Sequence, residues 1–263
     1  MIEVHRVKAF MLRHAYEILA TFDRKLDIIF WPTVDLLIFG LLSVYIQRLN
    51  VGANVAAAII GGLILWSLVY NIQRDISVTL LEDMWSRNLF NLFATPLKVS
   101  EMLMGTLILS LLKAMVTISF TTFLAWQLFD LNLLSLGLVL AFYILNLFVF
   151  GWAFGCLTAS IIFRFGARVQ IFAWSLLAVL YPVSGVFYPL STLPAALARI
   201  AQFLPISYVF EGLRELILYQ RLPPSSDFVW IVVLNVIYLA MGVLVFVHGF
   251  KNAKQRGWFI HPI

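Results

Sequence analysis

Ionisable side chains are scarce in this chain, so the few that interrupt its apolar stretches are the first candidates for chemistry. Asp35 and Lys113 each lie inside a long apolar run. A charge at such a depth is costly in lipid and faces a bundle interior or a wet cavity. Mutual pairing of Asp35 with Lys113 is one expectation; snorkelling of Lys113, or a contact with a second subunit, is the other. Glu82 and Asp83 open a mixed stretch ending at Pro96. In it Leu81, Met84, Trp85, Leu89, Leu92 and Phe93 share one helical face, and Glu82, Asp83, Ser86, Arg87 and Asn91 share the other. Such a helix, held between two spans, either serves as a lever for a cytoplasmic partner or simply leads the chain back into the membrane. A third group, Glu211, Arg214 and Glu215, is spaced by three and four residues, so its members can pair locally.

Enzymatic chemistry has no comparable footing. The chain lacks a Gly-x-x-x-x-Gly-Lys-[Ser/Thr] phosphate loop, so it holds no ATP site of its own. His5, His14, His248 and His261 are scattered, and none falls in a His-Glu-x-x-His metal motif. There is no Gly-x-Ser-x-Gly nucleophile elbow. Cys156 is the single cysteine, which excludes a disulfide framework and a cysteine metal site. The chain therefore reads as a protein without catalytic residues, whose energy comes from elsewhere.

The elements that position these residues follow from composition. Hydrophobic residues make up 62% of the 263 and charged ones only 12%, with a mean hydropathy of +0.97. A soluble domain carries about 25% charged residues. A shortfall of that size fits a surface that faces lipid, where long apolar runs must be helices because each backbone polar group is satisfied within its own segment. The expected fold is all-α and polytopic, with six spans: Ile28–Ile46, Val55–Ile72, Leu103–Phe129, Leu136–Phe163, Val169–Phe187 and Phe228–Phe250. The chain reads as one membrane domain: residues 1–25 an interfacial helix, 26–250 the bundle, 251–263 a cytoplasmic tail.

Orientation follows the distribution of Lys and Arg. With both termini cytoplasmic, thirteen of the eighteen lie on the cytoplasmic side and four, Arg48, Arg199, Arg214 and Arg221, on the other. The net charge of +5 then reflects basic cytoplasmic edges, not a nucleic-acid surface. Before the first span, Val4, Val7, Met11, His14, Ile18 and Phe22 recur at helical spacing, apart from Arg6, Arg13, Glu17 and Arg24. This amphipathic helix is expected to lie flat in the interface, basic side toward headgroups; packing on protein is the alternative. Between the last two spans, Tyr181–Asp227 holds six of the nine prolines. Its short apolar stretches suit re-entrant helices, with Tyr188, Pro189, Glu211, Arg214 and Glu215 in an outer gate or a structural cap. Trp31, Trp66, Trp126, Trp152, Tyr181 and Tyr188 serve as interfacial anchors or as the lining of a path.

Two motifs carry a family resemblance. One is Asn91-Leu-Phe-Ala-Thr-Pro-Leu97 with Glu101 soon after; the other is Tyr181-Pro-Val-Ser-Gly-Val-Phe-Tyr-Pro-Leu-Ser-Thr-Leu-Pro194 followed by Leu204-Pro-Ile-Ser-Tyr-Val-Phe-Glu-Gly-Leu-Arg214. With the amphipathic N-terminal helix and six spans, the chain resembles over nearly its whole length the permease subunits of the ABC type-2 transporter family, bacterial exporters of drugs, lipids and lipid-linked polysaccharides. The resemblance implies a coupling helix at Glu82–Phe93, with Glu82, Asp83, Met84, Trp85, Arg87 and Leu89 toward a separate nucleotide-binding subunit. It implies re-entrant helices at Leu193–Leu218 and a working unit of two permeases, taken as a homodimer, with two ATPases. ATP and magnesium would bind in the partner and no cofactor in this chain, which would sit in the bacterial cytoplasmic membrane. An ion-coupled carrier or channel is the competing reading.

Overall fold

A computed structural model describes residues 3–48, 53–86, 88 and 95–255. Among the described residues the chain is helical throughout, without strands. Five helices are long and apolar enough to cross a membrane: Arg24–Arg48, Asn54–Trp85, Val99–Phe129, Leu133–Val169 and Ser225–Ala253. They belong to α2 (Phe22–Arg48), α3 (Ala53–Trp85), α4 (Val99–Phe129), α5 (Gly137–Phe165, extended at either end by 3-10 turns) and α10 (Ser225–Gln255). A shorter helix, α1 (Val4–Ala20), precedes them.

The spine is α3. Its apolar window is 67% buried, against 22% for those of α2, α4 and α10. Its 33 residues rise about 50 Å at ~1.5 Å each, well beyond the ~30 Å of a hydrocarbon core. The second span and the polar stretch that follows it are therefore one rod, at least to Trp85. No glycine or proline occurs between Leu63 and Thr95 to interrupt it.

Contacts along the helices fix their directions. A Cβ on Gly155 of α5 would touch Ile76 of α3, and one on Gly151 would lie 2.9 Å from the Val69 carbonyl oxygen. The Gly-x-x-x-Gly pair thus serves packing within one chain. Asn235 of α10 donates to Asn146 of α5 at 3.1 Å, and Ser160 donates to the Val245 carbonyl at 2.9 Å. Both pairings advance together, so α3, α5 and α10 run parallel. By contrast α2 and α4 run the other way: Arg74 of α3 meets Asp27 of α2, while Lys113 of α4 meets Asp75 of α3.

Parallel α5 and α10 require residues 166–224 to return along the bundle. The expected fifth span, Val169–Phe187, is not a single span-length helix there. It is a chain of short turns, including α6 (Phe172–Ser175) and α7 (Tyr181–Ser184), ended by Gly185 at φ +74°. Breaks of this kind survive at depth only where neighbours satisfy the freed backbone. Buried Gln73 does so, donating to the Ala173 carbonyl at 3.3 Å and to Thr158 Oγ1 at 3.0 Å. Beyond it lie two further short helices, α8 (Ala195–Ala201) and α9 (Pro205–Arg214).

The N-terminal helix is seated on protein. Val7, Phe10 and His14 of α1 are buried, and Phe10 fills the space above Gly105 of α4. Val4 and Phe22, expected on its apolar stripe, are exposed. Two of its basic residues meet carboxylates: Arg13 pairs with Asp83 and Glu17, Arg6 with Glu3. The fully buried Glu101 carboxylate accepts the backbone N–H groups of Glu3 and Lys98, both at 2.9 Å, joining the starts of α1 and α4.

Candidate functional site

A cavity of about 670 Å³ lies between α2, α3, α4 and the broken segment. One end is charged, lined by Arg24, Asp27, Arg74, Asp75, Glu82 and Lys113. The other is aromatic, lined by Trp31, Trp66, Tyr70, Trp174 and Tyr181. Two of these rings are in contact, with the Trp66 and Tyr181 centroids 4.1 Å apart, and Tyr181 is stacked on Phe187 at 5.5 Å. Such a volume, apolar at one end and polar at the other, suits an amphiphile.

The charges at the polar end are organised in pairs. Arg74 reaches Asp27 through two hydrogen bonds of 2.7 and 3.2 Å. Arg24 meets Glu82 at 3.1 Å, and Lys113 meets Asp75 at 3.2 Å. The expected Asp35–Lys113 pair is absent, and register explains why. Thr117 of α4 donates to the Ile28 carbonyl of α2, so Lys113 lies level with Arg24, eleven residues below Asp35. At ~1.5 Å per residue that is about 16 Å of helix rise. Asp35 lines the cavity without an ion-pair partner among the described residues. Sequence reading passed over Asp27 and Asp75, although acids at the ends of apolar runs were their visible signal.

At the end of α3 the expected coupling residues diverge. Asp83 is 3% exposed and held by Arg13. Glu82 is half-buried against Arg24. Met84 is half-buried, and Trp85 is 50% exposed at the helix tip. Arg87 and Leu89 lie outside the described residues, as does most of the remaining expected coupling helix to Phe93. Burial pushes the His14 pKa down, against the pull of Asp83. The imidazole is thus neutral at pH 7, and Arg13 supplies the cation of this contact.

The expected outer-gate residues sit at the opposite end. Arg214, buried, donates to Glu211 at 2.6 Å and to the Gly185 carbonyl. Glu211 also accepts from the Leu190 N–H at 3.3 Å. Tyr188 donates to the Pro182 carbonyl at 2.8 Å, and Pro189 opens the 3-10 turn Leu190–Thr192. Glu215 begins a π-turn, Glu215–Tyr219, and takes no part in the Glu211–Arg214 pair. This assembly rests on α3, where a Cβ on Gly62 would lie 3.0 Å from the Val186 carbonyl oxygen. The twenty residues from Gly62 to Glu82 place about 30 Å between the two ends, the thickness of a hydrocarbon core.

A family model described as ABC-2 family transporter protein matches residues 46–250. The chain belongs to the ABC-2 transporter family. It is accordingly a multi-pass membrane protein of transport, and membrane domains of this family work with an ATPase partner. The match begins in the last turn of α2, so α1 and the Asp35 region lie outside it; the resemblance seen in the sequence extended over nearly the whole chain. No curated protein matches the chain.

Proposed function

We propose that this ABC-2 family protein is the permease of an ATP-binding-cassette exporter, carrying an amphiphile such as a lipid, drug or lipid-linked glycan out of a bacterial cytoplasm. One observation carries the reading. A single unbroken helix, α3, forms a wall of the amphipathic cavity, ends in an exposed tryptophan, and touches the cap at its far end. A push on Trp85 would travel along that rod without a hinge to absorb it. The pairs Arg24–Glu82 and Arg74–Asp27 would carry the movement to α2, the facing wall.

In this account the chain crosses the cytoplasmic membrane six times, the fifth by way of the broken segment Phe172–Ser184. Both termini and the Trp85 end are cytoplasmic, and Tyr188–Glu215 forms the outer re-entrant cap. Two permeases pair as a homodimer with two ATPases, which hold the ATP and magnesium. Met84 and Trp85, with Arg87 and Leu89 beyond them, meet the ATPase. Glu82 and Asp83 link the tip to α2 and α1.

Reconstitution with a Walker-A ATPase, sought in the reading frames neighbouring the permease's own, tests this. The complex is expected to assemble and to hydrolyse ATP faster than the ATPase alone. Trp85→Ala removes a large exposed anchor, so association should weaken by about 2 kcal/mol, a factor of about thirty. Wild-type association in that variant overturns the docking assignment. Transport of cargo by the purified chain along an ion gradient, without ATP, would instead establish a carrier.

A further inference from the structure

The cavity wall carries information about the charge of its occupant. Four carboxylates line it: Asp27, Asp35, Asp75 and Glu82. Three are neutralised, by Arg74, Lys113 and Arg24 in the pairs already described. Among the described residues those three are also the only Lys and Arg side chains in the lining, and buried His14 is neutral at pH 7. The fourth carboxyl group, that of Asp35, has no ion-pair partner among the described residues.

Its position is equally informative. Trp31 is four residues before Asp35 on α2 and therefore on the same face, and both line the cavity. The antiparallel pairing that sets Asp27 against Arg74 brings Asp35 level with Trp66 of α3, whose ring lies against Tyr181. Tyr70, one turn further along α3, lines the same wall. Aromatic faces present negative potential and attract cations, most strongly where water is displaced. A carboxylate among such rings makes a site for a cation carried on an apolar body. An anionic headgroup would find each lining Lys and Arg already paired with a carboxylate.

We propose that the cavity takes a cationic amphiphile, a lipophilic amine or quaternary onium ion, its charge held between Asp35 and the neighbouring aromatic faces. This rests on the exporter reading and names the cargo class for it.

The probe is tetraphenylphosphonium, a lipophilic cation, with tetraphenylborate as an anion of the same size and shape. Equilibrium binding to the full-length permease in nanodiscs should show saturable uptake of the phosphonium and none of the borate. Asp35→Asn should weaken phosphonium binding about tenfold, the factor that roughly 1.4 kcal/mol carries, while Asp35→Glu retains it. Absence of saturable phosphonium binding, equal binding of the borate, or unchanged affinity in Asp35→Asn overturns the proposal. The phosphonium–borate comparison uses the wild-type chain, so it decides the matter even where a variant misfolds. No ATPase is present in the assay. Its failure therefore leaves the exporter reading standing, whereas failed ATPase association would leave a positive binding result intact.

Discussion

Asp83→Ala should destabilise the permease by about 3 kcal/mol, within the range for removing one partner of a buried ion pair, and should free α1 from the bundle. Asp83 is 3% exposed. It accepts from the Arg13 guanidinium and from Asn88 Nδ2 at 3.3 Å, with His14 Nε2 4.0 Å away. Without the carboxylate, Arg13 keeps Glu17 as its counter-ion. The larger loss falls on the seating of α1, whose buried Phe10 and His14 depend on that anchor. Melting of the purified protein, with limited proteolysis after Arg13, measures both effects. A double-mutant cycle with Arg13→Ala should show coupling, because the second substitution then removes an already broken contact. Unchanged melting and protection would mean that hydrophobic contacts alone hold the helix.

Gly242→Leu should cost as much through a different mechanism. A Cβ at Gly242 would stand 2.6 Å from the Ala153 carbonyl oxygen, and one at Gly249 would stand 2.3 Å from Ser160 Oγ. The first obstacle is backbone, which cannot rotate aside, so the parallel helices α5 and α10 must separate. Overpacking of this kind costs up to about 3 kcal/mol, and separation also threatens the buried Asn146–Asn235 bond. The expected result is loss of the monodisperse folded protein in detergent. Gly137→Leu serves as a control for space, since nothing lies within 4 Å of its Cβ position, although its φ of +58° adds backbone strain. A Gly242→Leu variant that melts like the wild type would show that the α5–α10 contact is looser than its geometry states.

How far the sequence disclosed this architecture depends on which physical rule was at work. Lipid requires long apolar helices, and five of the six expected segments appear as such. Val169–Phe187 is equally apolar, but hydropathy counts residues and does not see continuity. Pro182 and Gly185 were the visible signals of its breaks, whereas the support they receive from buried Gln73, one of two amides at the polar end of the apolar run, depends on the tertiary fold. After the second span, periodicity does not reveal where one helix ends and another begins, and in its described part Asp83 of the expected polar face is buried while Trp85 of the apolar face is exposed. The lack of glycine and proline after Gly62 marked α3 as one rod. The Glu211–Arg214 pair followed from local spacing, whereas its Gly185 partner, 29 residues from Arg214, depends on the tertiary fold. The Asp35–Lys113 expectation failed because depth judged from span boundaries does not fix register between helices. Lys113 found the nearer Asp75 instead.

The central claim is that the Trp85 end of α3 faces the cytosol, where a motor can reach it, and the Tyr188–Glu215 cap faces outward. Cys156, the single cysteine, is buried, so a thiol placed at an exposed position reports its own surroundings. The decisive measurement is labelling of Trp85→Cys and Ser191→Cys by a membrane-impermeant maleimide, with the permease expressed without its ATPase. Trp85→Cys should react in inside-out vesicles and stay protected in spheroplasts, and Ser191→Cys should do the reverse. Labelling of Trp85→Cys from outside the spheroplast would contradict the account.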